Sequence, residues 1–227
     1  LVTLGNHASG MAMNLRLVAE GQGGSGSRRY ANYSAYFNGH IRTIGYFHNQ
    51  IGLLTEMKGH PTPMELAFFP SNQLATNDFS LPHIPGEWHF ENSMEYSLTL
   101  NRAVLDYASR NRTNVLFNRW RMGMNAIEAG NKDSWTIKPR AIEDIENKIR
   151  AAGGEEAEMI GQTFRRSGKG VSKDYLSMLR TPENRDPRGF ILSSDQKDFP
   201  TAVKFLNTLI KNGVTIHQAT ADFTVQG

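Results

Sequence analysis

Cysteine is absent from all 227 residues. Its absence removes disulfide frameworks, thiolate zinc sites and cysteine nucleophiles, and leaves the redox compartment open. Long apolar runs are lacking too. None approaches the roughly 20 residues that a bilayer-spanning helix needs, and the N-terminal stretch has no charged-then-apolar leader layout. Charge of one sign is also missing: 25 Lys and Arg stand against 22 Asp and Glu, a net charge of +3. The basic residues are interspersed with acids and not gathered into a stripe, which argues against a nucleic-acid partner. What is present, 39% hydrophobic and 21% charged residues, suits a globular chain of one sizeable domain or two small ones, and the element pattern that follows makes the expected class α/β. The opening at Leu1 and the ending Thr224-Val225-Gln226-Gly227, in mid-pattern for a strand, read as a piece of a longer polypeptide.

Periodicity divides the chain. Met11, Leu15 and Val18 recur at helical spacing between residues 5 and 20, and Gly21 supplies a stop. Gly21, Gly23 and Gly26 then spell the G-x-G-x-x-G string, but a helix precedes it and Tyr-rich sequence follows. A dinucleotide fingerprint needs a strand before and a helix after, so the segment reads as a Gly/Ser loop. Ile51-Gly52-Leu53-Leu54, bounded by polar residues, predicts a parallel strand buried on both faces. Prolines 61, 63, 70, 82 and 85 crowd residues 57–87, which predicts an irregular connection. Two consecutive helices are expected between Asn92 and Gly130. Met94, Leu98, Leu105 and Ala108 lie on one stripe, Val115, Leu116, Trp120 and Ile127 on another, and Asn111-Arg112-Thr113 makes the break. Pro139 opens a third helix that Gly153 closes, and residues 153–172 read as a loop. The last portion predicts β-α-β: Gly189 to Leu192, a helix from Phe199 to Lys211, Gly213 as its cap, then Val214 to Ile216.

Glu56 is the most informative position for chemistry, since it directly follows the predicted interior strand. A carboxylate is costly to bury there, and ligand sites in open α/β sheets lie at that end of the strands. The same spacing also suits a solvated glutamate in the following loop. The seven histidines show neither His-x-x-Glu nor His-Glu-x-x-His, so no complete zinc site is expected within the chain. His89 and Glu91 share a strand-like spacing, but the adjacent Trp88 and Phe90 favour packing. Tyr30, Tyr33, Tyr36, Phe37, Tyr46 and Phe47 suit a core, or the wall of a substrate cleft. Arg110, Arg112, Arg119 and Arg121 suit a solvated helix face or a subunit contact.

Taken together, Tyr33-Ser34-Ala35-Tyr36-Phe37-Asn38-Gly39, then His48-Asn49-Gln50-Ile51-Gly52-Leu53-Leu54-Thr55-Glu56 and Gly59-His60-Pro61-Thr62-Pro63, resemble the C-terminal third of the zinc carboxypeptidases, the carboxypeptidase A-like metallopeptidases. In particular they are similar to large secreted bacterial members. The resemblance covers about the first third of the chain. It implies that Glu56 is the general base that takes a proton from zinc-bound water and passes it to the leaving amine. Tyr33 is implied to cap the bound C-terminal residue, with Tyr36 the weaker match, and residues 38–42, Ile41 among them, to help form the specificity pocket.

The zinc ligands and the arginines that grip the substrate carboxylate are implied to lie upstream of Leu1. The expected organisation is therefore the closing portion of a carboxypeptidase-like mixed sheet over 1–87, a mostly helical connector over 88–185, and a β-α-β start over 186–227. Arg188-Gly189-Phe190-Ile191 onward is similar to the downstream glutamine-amidotransferase-like domain of such proteins, without a nucleophile from which an activity would follow. Peptide substrate and a secreted or periplasmic location follow from the resemblance, with no membrane or nucleic-acid partner. Alternatives of other classes are a peptidase-like scaffold that binds peptide without catalysis and a zinc amidase acting on non-peptide substrates.

Overall fold

A computed structural model describes residues 1–26, 41–161 and 170–225. It contains two compact units, Leu1–Lys132 and Asp133–Gly227. In chain order the elements are α1 (Val2–Ala19), α2 (Ile41–Tyr46), β1 (Met64–Leu66), β2 (Gly86–Trp88), α3 (Phe90–Arg110), α4 (Arg112–Gly130), α5 (Pro139–Ala152), α6 (Gly154–Ala157), α7 (Asp174–Ser177) and α8 (Phe199–Lys211), with 3-10 turns at Pro70–Gln73 and Pro182–Asn184. Helices thus dominate a mixed α and β composition. Among the described residues none of the helices is long and apolar enough to cross a membrane.

The core of the first unit is the packing of α1 on α3. Met13 and Leu17 of α1, one helical turn apart, meet Leu100 and Ala103 of α3, and Leu53, Met57, Tyr96 and Val104 close around them. This corrects the facing expected from periodicity. Met11 and Leu15 on α1, and Met94, Leu98 and Leu105 on α3, are exposed. Small polar residues, Ser9 and Asn14 on α1 and Ser93 and Thr99 on α3, occupy the buried faces in their place. Their hydrogen bonds make that burial tolerable. The Ser9 hydroxyl donates to the Gly5 carbonyl at 2.9 Å, the Ser25 hydroxyl to Asn14 Oδ1 at 2.7 Å, and the Thr99 hydroxyl to Glu20 Oε2 at 2.9 Å.

The break between α3 and α4 falls at Asn111, as the sequence predicts. At the start of α3 the His89 N–H donates to Asn92 Oδ1 at 2.9 Å, half of a reciprocal capping box. His89 therefore caps a helix and is half exposed, where packing was expected. The proline-rich stretch is less irregular than its composition suggests. β1 and β2 pair antiparallel, with Met64 opposite Trp88 and Leu66 opposite Gly86.

The expected parallel strand at Ile51–Leu54 is not formed, and no carboxypeptidase-like sheet is present among the described residues. A strand needs a neighbour to satisfy its backbone, and here the segment packs on helices instead. Gly52 lies so close to α2 that a methyl group there would fall 2.0 Å from the Arg42 carbonyl oxygen.

In the second unit α5 starts at Pro139 and is capped by Gly153 at φ 70°, as predicted, with Ile149 buried. Asp186 ties residues 133–136 to 181–188. It accepts from the Thr136 N–H at 3.1 Å and from the Ser134 hydroxyl at 3.0 Å, while the Trp135 indole donates to the Thr181 carbonyl at 2.8 Å. Helix α8 spans its predicted range, capped by Asp198, which accepts from the Thr201 N–H at 3.1 Å. Its expected flanking strands are absent: residues 189–192 and 214–216 carry no strand, and Phe190 is 89% exposed. An extended segment without a ladder partner gains nothing from strand geometry, so the crossover is reduced to its helix.

Candidate functional site

The candidate site is the segment from His48 to Pro63, which has no regular secondary structure beyond Gln50 and is held by side-chain anchors. Asn49 turns the chain out of α2 with φ 56°, a conformation asparagine tolerates better than most residues, and the Gln50 N–H donates back to the Gly45 carbonyl at 2.9 Å. Ile51 presses on Gly5 of α1, where an added methyl group would lie 2.8 Å from its Cδ1. The Tyr46 hydroxyl donates to the Gly52 carbonyl at 3.1 Å. Leu53 and Met57 then insert into the α1/α3 core on either side of Glu56.

The next anchor is the Lys58 carbonyl. It accepts from the Trp88 indole N–H at 3.1 Å and from the Ser93 hydroxyl, which itself accepts from the same indole at 2.9 Å. Trp88 and Ser93 are both buried. Trp88 is also the middle ring of an edge-on stack, 5.3 Å from His83 and 5.1 Å from Tyr96. Burial pushes the His83 imidazole down from its ordinary value and the Tyr96 phenol up. The Tyr96 hydroxyl donates to the Gly23 carbonyl at 2.9 Å. The Gly24 N–H reaches the Leu81 carbonyl at 2.7 Å, so the start of the glycine-rich loop is tied to the same cluster.

Two concavities flank Glu56 along the chain. One, of about 360 Å³, is lined by Ile41, Arg42, Gln50, Ile51, Leu53 and Leu54 among others. The other, of about 550 Å³, is lined by Gly59, His60, Pro61 and Phe90. The His60 ring is fixed from within its own turn, where its Nδ1 accepts from the Thr62 N–H at 3.3 Å and lies 2.8 Å from the Thr62 hydroxyl oxygen.

Of the residues singled out from sequence, Ile41 and the Ile51–Leu54 segment share the first concavity, although Ile41 is 92% exposed. The Glu56 side chain is exposed and lines neither concavity. Tyr33, with Tyr36, lies outside the described residues. The anchor formed by Trp88 and Ser93 was not foreseen. A tryptophan beside a histidine and a phenylalanine signals burial, but nothing in spacing connects it to a carbonyl 30 residues away.

Among the described residues, no group of three or more His, Cys, Asp or Glu comes together in a way that could hold a metal ion. No protein-family model, curated protein or solved structure matches the chain.

Proposed function

We propose that the chain contributes the general base of a zinc-dependent carboxypeptidase that removes C-terminal residues from peptides, with Glu56 in that role. The observation that carries the proposal is the string from His48 to Glu56, continued by Gly59-His60-Pro61-Thr62-Pro63. Leu53 and Met57, both partly buried, pack against the α1/α3 core on either side of Glu56 and hold its backbone, while its side chain is exposed in a loop and not at the end of the interior strand that the sequence predicts. An exposed carboxylate on an anchored backbone can accept a proton from an attacking water and return it to the leaving amine.

Among the described residues no group of His, Cys, Asp or Glu is placed to hold a metal ion, and it is the resemblance alone that assigns the zinc ligands to upstream polypeptide. Zinc, when bound, supplies Lewis acidity. The residues of this chain do the proton transfer and shape the neighbouring surface. Ile41, in the concavity beside the anchored segment, is assigned to contact the substrate's terminal side chain, and Tyr33 to cap it. A secreted or periplasmic location accompanies this reading.

The test is peptide hydrolysis by the full-length protein with Glu56→Gln. Loss of a general base lowers turnover by about 10²–10⁴-fold. Activity within a few-fold of the unmodified protein would remove the assignment and leave a peptide-binding scaffold as the better description.

A further inference from the structure

We propose that Trp88 and Ser93 are positioning residues for Glu56, acting through the Lys58 carbonyl. The inference rests on the assignment of Glu56 as general base and asks what keeps an exposed carboxylate in one place. Glu56 has Leu53, partly buried against the core, on its N-terminal side and Met57, packed likewise, immediately after it. Neither contact fixes the peptide planes of residues 57 and 58, because apolar packing is non-directional. Directionality comes from the triangle at Lys58. The indole N–H of Trp88 is shared between the Lys58 carbonyl at 3.1 Å and the Ser93 hydroxyl at 2.9 Å, and that hydroxyl donates to the same carbonyl.

Two donors on one carbonyl set its direction, and with it the backbone two residues after Glu56. Both donors come from the rigid frame of the unit: Trp88 ends β2, where it is 6% exposed, and Ser93 sits in the first turn of α3, where it is 7% exposed. The His83 and Tyr96 rings hold the indole edge-on, so its N–H has one direction to point.

Two donors on one acceptor also predict redundancy. Trp88→Phe leaves Ser93 on the carbonyl, and Ser93→Ala leaves the indole, so each single change costs little and the pair costs more than their sum. A base displaced by a fraction of an ångström loses rate without losing substrate affinity.

The experiment measures kcat and KM of the full-length protein on an N-blocked dipeptide in four forms: unmodified, Trp88→Phe with Ser93→Ala, Glu56→Gln, and all three changes together. The expected result is a fall in kcat of about tenfold for the double change, with KM within about twofold, and no more than about a twofold fall when Glu56→Gln is already present. A structural role would lower turnover equally in both backgrounds. Equal loss, or no loss with Glu56 intact, overturns the proposal. If Glu56→Gln alone keeps kcat within a few-fold, the assignment of the base is at fault, and the positioning role falls with it. Should the double change unfold the protein, Trp88→Phe alone is read in the same two backgrounds. A fall of about threefold with Glu56 present and none without it is then expected, and equal effects overturn the proposal.

Discussion

The indole N–H of Trp88 donates to the carbonyl oxygen of Lys58, 30 residues earlier in the chain, at 3.1 Å. This bond joins the end of β2 to the segment that carries Glu56, in a place where no strand ladder does so. It separates two ways of damaging the same residue. Trp88→Phe removes the indole donor but keeps most of the ring and leaves the Ser93 hydroxyl on the carbonyl, and should lower stability by about 0.5–1 kcal/mol. Trp88→Ala also empties the space between His83 and Tyr96, and should cost about 3–5 kcal/mol. Urea unfolding of both variants checks this; equal losses would mean that the ring's packing contributes nothing beyond its hydrogen bond.

Gly52 and Gly10 should respond oppositely to the same added methyl group. At Gly52 it would fall 2.0 Å from the Arg42 carbonyl oxygen and 2.9 Å from the Tyr46 ring. Gly52→Ala should therefore destabilise by about 1–3 kcal/mol, since backbone must move to admit it. Gly10, inside α1, has nothing within 4 Å, and Gly10→Ala should stabilise by about 0.5–1 kcal/mol through helix propensity. Thermal melts of the two variants that shift in the same direction would contradict the packing of the 51–54 segment on α2.

His83 should make the first unit less stable in mild acid. Burial beside Trp88 lowers its imidazole below the ordinary 6.5, so the folded chain binds fewer protons there than the unfolded chain. Its contribution is intact above 6.5 and is lost as the pH falls through that value toward the lower folded-state one. Of the carboxylates on the elements that flank Trp88, Glu87 lies 3.5 Å from His89 and Glu95 acts on Tyr96. Carboxylates held low by hydrogen bonds, Glu20 by Arg16 and Thr99 and Asp186 by Thr136 and Ser134, lose their contributions only at more acid pH, below 4.5 and 3.8. Stability measured from pH 7.5 to 5 should fall for the unmodified chain and flatten in His83→Gln. An unchanged slope in the variant would show that the imidazole is not the responsive group.

Removing the cap of α8 should be felt locally. Asp198 accepts from the Thr201 N–H, and hydrogen bonding from the Thr201 side chain together with that N–H holds its carboxyl below the usual range. Asp198→Ala should weaken the cap and shorten α8 from its first turn. Amide exchange at residues 199–202 that stays as slow as in the unmodified chain would contradict it.

Features governed by local chemistry were legible in the sequence. Asn111 splits α3 from α4, Pro139 and Gly153 bound α5, and α8 runs from Phe199 to Lys211, because caps and breakers act within a turn of themselves. Strands depend on partners elsewhere in the chain. Ile51–Leu54 and Gly189–Leu192 have strand-like composition but join no strand ladder among the described residues, whereas Met64–Leu66 and Gly86–Trp88 pair from within a stretch that its prolines made look irregular. Helix facing failed for a related reason. Leu15 is an obvious apolar residue on α1, yet it is 71% exposed, while Asn14 is buried because Ser25 satisfies it. For the site, Glu56 stood out through its neighbours in sequence, but the Lys58, Trp88 and Ser93 triangle needed a fold to bring it together.

The most direct test compares two glutamates in the full-length protein by the release of the C-terminal residue from a peptide with a free carboxylate. Glu56→Gln should lower kcat by about 10²–10⁴-fold, as removal of a general base does. Glu65→Gln, an exposed position on β1, should stay within about twofold, as surface changes remote from chemistry do. Equal activity of the two variants would contradict the assignment of Glu56.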